Sequence, residues 1–209
     1  MSTLKIPKQA AAVLSKDKVL RNLQQSVEIN FPPSRGSVYE DLIEAIVYQQ
    51  ISIKAARSIF ERFMGYFGGL VPPPAELAQA PHDALRALGL SNQKATYVRN
   101  IAIYFEEEGL THEEIVAMDD PAIIQTLTGI KGVGVWTAQM ILIFSLLRPD
   151  VFPVTDYGIQ TAMKELYDID DVPNRALIKQ LEQRAEAWKP YRTYASLLLW
   201  SWKRKQMNV

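Results

Sequence analysis

Apolar residues recur along the chain at the spacing that is typical of amphipathic helices. After a Ser-x-x-Glu capping box at 37–40, the apolar residues Leu42, Ile43, Ile46 and Val47 stand at positions that share one helix face. No segment alternates between apolar and polar residues for long enough to require a strand. The pattern therefore predicts an all-α protein of roughly ten helices joined by short connections.

Helix boundaries follow from capping residues, glycines and prolines. Thr111 opens a second capping box, and Asp120 is predicted to cap a helix whose first residue is Pro121. The tract at 71–74 contains three consecutive prolines and is the clearest linker-like stretch. The remaining predicted helices lie at about 52–67, 75–80, 82–88, 92–108, 135–147, 157–166, 174–188 and 191–205.

Composition excludes several kinds of chemistry. The 209 residues include 23 Lys plus Arg and 23 Asp plus Glu, so a nucleic-acid surface requires local placement of charge. The chain has no cysteine and only 2 histidines, which excludes disulfides, thiolate zinc sites, iron–sulfur clusters and cysteine nucleophiles, and disfavours a multi-histidine metal site. No segment has the ~18 uninterrupted apolar residues of a membrane helix. We therefore expect a soluble intracellular protein.

A glycine-rich turn precedes one of the apolar helices. Gly132 and Gly134 permit a tight turn, and the helix that follows starts with unpaired N–H groups. Such a helix start can bind a phosphate, and Lys131 adds a positive charge beside it. The alternative is that the glycines serve only to turn the chain, because many helix hairpins use glycine in this way.

An aspartate lies about twenty residues further along, at the start of the next helix. Asp156 follows a loop that contains Pro153, and it is either a helix cap or a catalytic carboxylate. An isolated aspartate at this position is most often a cap. Its combination with the glycine turn favours the catalytic interpretation.

The two segments together resemble those of a known family. Gly132-Val133-Gly134 with Thr137-Ala138, followed by the loop that ends in Asp156, is similar to the helix-hairpin-helix, Gly/Pro-Asp superfamily of DNA glycosylases. Within it, the chain resembles the alkylbase branch, the DNA-3-methyladenine glycosylases of type II, in a short form without the N-terminal β-domain. The likeness covers about 38–202, with further matching motifs at 48–56, 89–95 and 190–200.

The resemblance implies a fold and an activity. It implies a single glycosylase domain over 1–209 with two helical lobes, at 38–110 with the packed termini and at 111–202, and a DNA-binding cleft between them. It also implies a monofunctional hydrolase that excises alkylated purines in base excision repair. Relatives with strand-cleaving activity carry a lysine where this chain has Trp136, so no lyase activity is expected.

The resemblance also assigns roles to individual residues. Asp156 is the catalytic carboxylate, and Gln50 stands where some relatives carry a leucine wedge. The expected base pocket comprises Trp136, Trp200, Met140, Tyr48 and Tyr157. The expected DNA contacts are Gln50, Lys94, Lys131, Gly132 and Gly134. The backbone carbonyls of Thr128, Ile130 and Val133 are candidates to hold a structural Na⁺ or K⁺ ion.

Two other functions remain open from the sequence. One is a non-enzymatic helix-hairpin-helix DNA-binding protein, and the other is a glycosylase of the same fold for a neutral base such as uracil or hypoxanthine. The expected partner is double-stranded DNA that contains alkylated bases, bound by a monomer with no required cofactor. The expected location is the cytoplasm, beside the nucleoid in a bacterium, or the nucleus in a eukaryote.

Overall fold

The protein is helical, as predicted. The computed structural model describes residues 2–31 and 34–207. The only strands in these ranges are β1 (Ser2–Thr3) and β2 (Asn30–Phe31), which pair antiparallel with Ser2 opposite Phe31. The α-helices of the described ranges are α1 (Lys8–Leu14), α2 (Lys18–Ser26), α3 (Val38–Tyr48), α4 (Ile53–Tyr66), α5 (Pro74–Gln79), α6 (His82–Ala87), α7 (Asn92–Glu108), α8 (His112–Ala117), α9 (Asp120–Thr128), α10 (Val135–Met140), α11 (Tyr157–Leu166), α12 (Asn174–Ala185) and α13 (Arg192–Met207).

Local sequence signals explain where most helices begin. Ser37 caps α3 by accepting a hydrogen bond from the Glu40 amide at 3.4 Å. The Thr111 box at α8 is complete, because the Glu114 carboxylate also accepts from the Thr111 amide at 2.9 Å. The apolar face predicted for α3 is fully buried. None of the helices in the described ranges is long and apolar enough to cross a membrane.

The structure differs from the predicted helices in four places. The helix predicted over 174–188 is α-helical to Ala185 and ends as a 3-10 helix over Glu186–Trp188. Asp119, rather than Asp120, caps α9, because its carboxylate accepts from the Ala122 amide at 2.8 Å. The helix predicted over 135–147 is α-helical only to Met140 and continues as a π-helix over Ile141–Ser145. Helices α1 and α2 were not predicted, although Asp17 gives α2 an ordinary cap.

The chain forms two compact units that differ from the predicted lobes. The terminal unit contains residues 2–31 and 142–207, and the central unit contains residues 34–141. The hairpin at 129–134 therefore belongs to the same unit as α3 to α8, whereas the sequence grouped it with Asp156. The chain termini belong to the unit that carries Asp156.

Each unit has its own buried core. In the terminal unit, α13 packs on α2 and α11, and the fully buried Trp188 donates to the Asp17 carboxylate at 3.1 Å. In the central unit, α3, α5 and α6 pack on α7, the longest helix there, and α9 packs on α10. Helix α7 therefore supports three of the other helices of the central unit directly.

Candidate functional site

The Asp156 carboxylate caps α11 and also accepts a hydrogen bond from a tryptophan. Its Oδ1 atom accepts from the Ile159 amide at 2.9 Å and from the Trp200 indole Nε1 at 2.8 Å. The first bond satisfies one of the free donors at the helix start. The second requires α13 to lie beside α11, which only the fold provides. Two donors on one oxygen fix the orientation of the carboxylate.

The loop that presents Asp156 is fastened to the start of α13. The guanidinium of Arg192 binds both oxygens of Asp150, with Nε–Oδ1 at 2.8 Å and Nη2–Oδ2 at 2.9 Å. The hydroxyl of Thr193 donates to the Arg148 carbonyl at 2.6 Å and accepts from the Val151 amide at 2.9 Å. Paired geometry of this kind holds a loop more firmly than single contacts do. The motif at 190–200 therefore positions the Asp156 loop.

A glycine makes room for the bond between Asp156 and Trp200. A Cβ atom on Gly158 would lie 3.1 Å from Asp156 Oδ1 and 3.2 Å from Trp200 Cδ1. The indole also stacks on Phe144, with ring centroids 5.9 Å apart. Trp200, predicted as a pocket wall, thus contacts the candidate acid directly. Tyr157 lies next to the acid with 80% of its surface exposed.

The hairpin uses its two glycines for different purposes. Gly132 has φ +111°, and a Cβ atom there would lie 2.3 Å from Cγ of Tyr97. The fold of the central unit therefore requires glycine at this position. Gly134 caps α10 with φ −92°, and a Cβ atom there would have no described heavy atom within 4 Å. Internal packing does not require glycine at 134, so the space outside it is open to a ligand.

Side chains of helix α7 contact the hairpin turn at residues 131 and 132. Besides the Tyr97 ring against Gly132, the Asn100 amide nitrogen donates to the Lys131 carbonyl at 2.9 Å. Lys131 itself is exposed. Sequence reasoning missed Tyr97 and Asn100, because a polar residue on a helix gives no sign of a partner far away in the chain.

Trp136 and Met140 lie one turn apart on α10. Trp136 is 41% exposed and Met140 is half-buried, whereas Thr137 and Ala138 between them are buried. The two predicted pocket residues therefore share the outer side of α10, while its inner side packs against the central unit.

The Lys94 ammonium group is hydrogen-bonded within the protein. Its ammonium group donates to the carbonyls of Val47 at 2.8 Å and Gln49 at 2.7 Å, at the end of α3. Burial lowers the pKa of Lys94 below its usual value. Two of the three donors of Lys94 therefore bind the protein's own backbone, and the contact of this lysine with DNA stays a prediction.

The residues beside Lys94 form an exposed turn. Gln50 is exposed and has φ +55°, a left-handed conformation that is uncommon for a residue other than glycine. Tyr48, just before it, is half-buried against Phe60. Burial and the nearby Glu44 raise the pKa of Tyr48, while Arg57 opposes this shift.

The carbonyls predicted to hold a monovalent cation follow the end of α9. Helix α9 ends at Thr128, where the last carbonyls of a helix have no partner within the helix. The Ile130 carbonyl accepts from the Val133 amide at 3.0 Å and retains a second lone pair. Neutral oxygens at the negative end of a helix suit a hard cation. Elsewhere in the described ranges, no three His, Asp or Glu side chains cluster as metal ligands.

Comparison with known proteins identifies relatives over most of the chain. Residues 43–190 match the family described as HhH-GPD superfamily base excision DNA repair protein. The chain is 35% identical to YfjP of Bacillus subtilis over 170 residues, which cover 78% of this chain and 58% of that protein. This chain thus spans little more than half the length of that relative.

Two solved structures are similar over nearly their whole length. The DNA-3-methyladenine glycosidase of Bacillus halodurans has 31% identity and a TM-score of 0.83, covering 100% of this chain and 95% of that one. The Schizosaccharomyces pombe 3-methyladenine DNA glycosylase Mag1, solved in complex with abasic DNA, has 34% identity and a TM-score of 0.79, covering 92% and 95%.

Proposed function

Because the chain belongs to the HhH-GPD superfamily of base excision DNA repair proteins, we propose that it is a DNA glycosylase that removes alkylated purines from duplex DNA. The names of the two similar solved proteins, both of which include 3-methyladenine, support this substrate class. The observation that carries the proposal is the Asp156 carboxylate, which the Ile159 amide and the Trp200 indole hold in one orientation.

The chemistry requires a carboxylate and no strong acid. Alkylation at N3 or N7 makes the purine cationic, so the base leaves as a neutral molecule with the electron pair of the glycosidic bond. Positive charge then develops on the sugar, where the Asp156 carboxylate stabilises it. Water adds at the sugar C1′ carbon, and its proton passes to the carboxylate or to solvent. The products are a free base and an abasic site.

The absence of an amine nucleophile limits the reaction to hydrolysis. Strand cleavage in related enzymes requires a lysine that forms a Schiff base with the sugar. Trp136 stands at that position, so the abasic product is released with its strand intact. The substrates are 3-methyladenine and, by the same leaving-group argument, 7-methylguanine.

The hairpin supplies the grip on the DNA backbone. The amides at Gly132 and Gly134 open the start of α10, and the exposed Lys131 lies beside them. A phosphate bound there positions the duplex without reading its sequence. The carbonyls of Thr128, Ile130 and Val133 would hold a Na⁺ or K⁺ ion, which would supply positive charge beside that phosphate.

Aromatic and apolar side chains supply the contacts to the extruded base. A cationic purine over an indole gains about 0.5–2 kcal/mol, which favours Trp136, with its exposed surface, as a stacking partner. Met140 shares the outer side of α10 with it. Trp200 and Tyr157 adjoin Asp156, and Tyr48 precedes the exposed turn at Gln50, which we assign to filling the gap in the duplex.

Release of bases from methylated DNA tests the function directly. The protein is incubated with duplex oligonucleotides that contain a single 3-methyladenine, 7-methylguanine, uracil or hypoxanthine, and the free bases are separated by chromatography. Alkali then reveals abasic sites. We expect release of the two alkylated purines and cleavage only after alkali. Release of uracil or hypoxanthine alone would assign a neutral-base glycosylase, and binding without release would assign a DNA-binding protein.

The proposed activity also determines where the protein acts. A monomer is sufficient for the reaction, since both the acid and the hairpin are present in one chain. Its place is with the genome, in the cytoplasm beside the nucleoid of a bacterium or in the nucleus of a eukaryote.

A further inference from the structure

The turn after α3 holds a residue in a conformation that its own sequence does not favour. Gln50 has φ +55°, and the chain around it is exposed over residues 50–55. For residues with a Cβ atom the left-handed conformation is disfavoured, and it persists only where surrounding contacts enforce it. Two contacts to this turn come from residues far along the chain.

Lys94 makes the first of these contacts. The Gln49 carbonyl, which accepts from Lys94 Nζ at 2.7 Å, belongs to the peptide group that joins Gln49 to Gln50. A second bond from the same ammonium to the Val47 carbonyl at 2.8 Å fixes the direction of approach. Lys94 lies in the first turn of α7, whose start is capped by Ser91. The ammonium therefore connects this peptide to the capped start of α7.

The neighbouring side chain makes the second contact. The Gln49 amide nitrogen donates to the hydroxyl of Thr137, which is 3% exposed on α10. The backbone and side chain of Gln49 are therefore both held, by α7 and α10 respectively. The adjacent Gln50 side chain is left exposed.

We propose that Lys94 is a positioning residue that holds the Gln49–Gln50 peptide so that Gln50 is presented to the duplex in its left-handed conformation. The inference rests on the proposed function, in which Gln50 fills the gap left by the extruded nucleotide. Lys94 acts through the backbone and contacts neither the base nor the phosphate. A gap-filling residue affects the rate of base release only when a partner strand is present, so duplex and single-stranded DNA should respond differently to its loss.

The test compares one lesion in duplex and in single-stranded DNA. Single-turnover rates of base release are measured for the full chain and for Lys94→Met, Lys94→Arg and Gln50→Ala, with 7-methylguanine as the lesion. Loss of a charged hydrogen bond is expected to lower the duplex rate of Lys94→Met about tenfold, whereas its single-strand rate changes less than about twofold. Lys94→Arg is expected to keep most of the duplex rate, because it retains a cationic donor.

A double variant and a matched control complete the kinetic test. In the double variant, which combines Lys94→Met with Gln50→Ala, the rate of base release from duplex DNA is expected to be no lower than in the slower single variant. The reason is that each change removes the same contribution, the insertion of the Gln50 side chain into the duplex. Lys179→Met removes an exposed lysine of α12 and is expected to match the unaltered chain on both substrates. Equal losses on duplex and single strand in Lys94→Met, or additive losses in the double variant, would overturn the proposal.

A crystal structure of Lys94→Met separates this inference from the proposed function. We expect the φ angle of Gln50 to leave the left-handed region, and a retained positive φ would overturn the inference whatever the activity. If the unaltered chain releases no base but the turn relaxes in Lys94→Met, the proposed function fails while the positioning of the turn by Lys94 stands.

Discussion

The starts of α10 and α11 differ in the residue that caps them. Each helix begins with N–H groups that have no partner within the helix. At α11 the chain supplies its own anion, because the Asp156 carboxylate accepts from the Ile159 amide at 2.9 Å. At α10 the cap is Gly134, which has no side chain to offer. One helix start is capped by a carboxylate, and the other has a glycine cap, where we propose that a DNA phosphate binds.

In the proposed function, the start of α11 takes part in the reaction and the start of α10 binds the DNA backbone. The Asp156 carboxylate is oriented by a tryptophan from another helix, which suits a group that must meet a reacting atom in one geometry. The hairpin is oriented through its backbone, which suits a sequence-independent contact. Variants at the start of α11 should therefore change the rate of base release, and variants at the start of α10 should change the affinity for DNA.

The largest effect is expected from Asp156→Asn. Asparagine caps helices as well as aspartate does, so the stability of α11 should be preserved. Loss of the negative charge should lower the single-turnover rate of base release by roughly 10²–10³-fold, the size seen when a single electrostatic contact to a transition state is removed. Binding of lesion-containing duplex, measured by fluorescence anisotropy, should stay within about threefold. An unchanged release rate would remove Asp156 from the mechanism.

The paired variants Gly132→Ala and Gly134→Ala test the hairpin. A Cβ atom at 132 would lie 2.3 Å from the Tyr97 ring, so we expect that variant to lose about 1–3 kcal/mol of unfolding free energy, measured by denaturant titration. At 134 a Cβ atom has open space, so stability should change little. Weaker DNA binding without a change in release rate at saturating protein is expected for Gly134→Ala. Equal stability losses in the two variants would contradict the assignment of different roles.

A smaller effect is expected from Trp200→Phe. Phenylalanine preserves the stacking on Phe144 but lacks the N–H group that donates to Asp156 at 2.8 Å. Loss of one charge-assisted hydrogen bond should lower the rate of base release about tenfold, with affinity for duplex DNA nearly unchanged. Trp202→Phe on the same helix serves as the control and should release base at the unaltered rate. If both variants lose rate equally, α13 has only a structural role.

Much of the fold could be predicted from the sequence because helices are largely local. The bounds predicted for α7 and α11 are those observed, since each starts after a capping residue and α7 ends at Gly109. The π-helical stretch after Met140 could not be foreseen, because its local sequence reads as ordinary apolar helix. Two lobes were predicted, but the boundary between the two units was not, since the termini join residues 142–207 through contacts between distant segments.

The candidate site was predictable only in part, for a related reason. Asp156, the glycines of the turn and the motif at 190–200 could be found because motifs of residue type and spacing are visible in one dimension. Lys94 was predicted only as a DNA contact, because nothing in its sequence neighbours indicates that its ammonium group donates to the carbonyls of Val47 and Gln49. Gly158 gave only the weak signal of a glycine in the first turn of a helix.

The order of the residues is sufficient to show that this chain is helical, lacks thiol chemistry and carries an aspartate about twenty residues after a glycine turn. Only folding brings the groups of the candidate site into contact. The Trp200 indole donates to Asp156, the Tyr97 ring packs against Gly132, and the Lys94 ammonium donates to the carbonyl of the residue before Gln50. Capping and apolar periodicity act over three or four residues and are therefore visible in the order of the chain. Hydrogen bonds and close packing between helices depend on distances that exist only after the chain has folded.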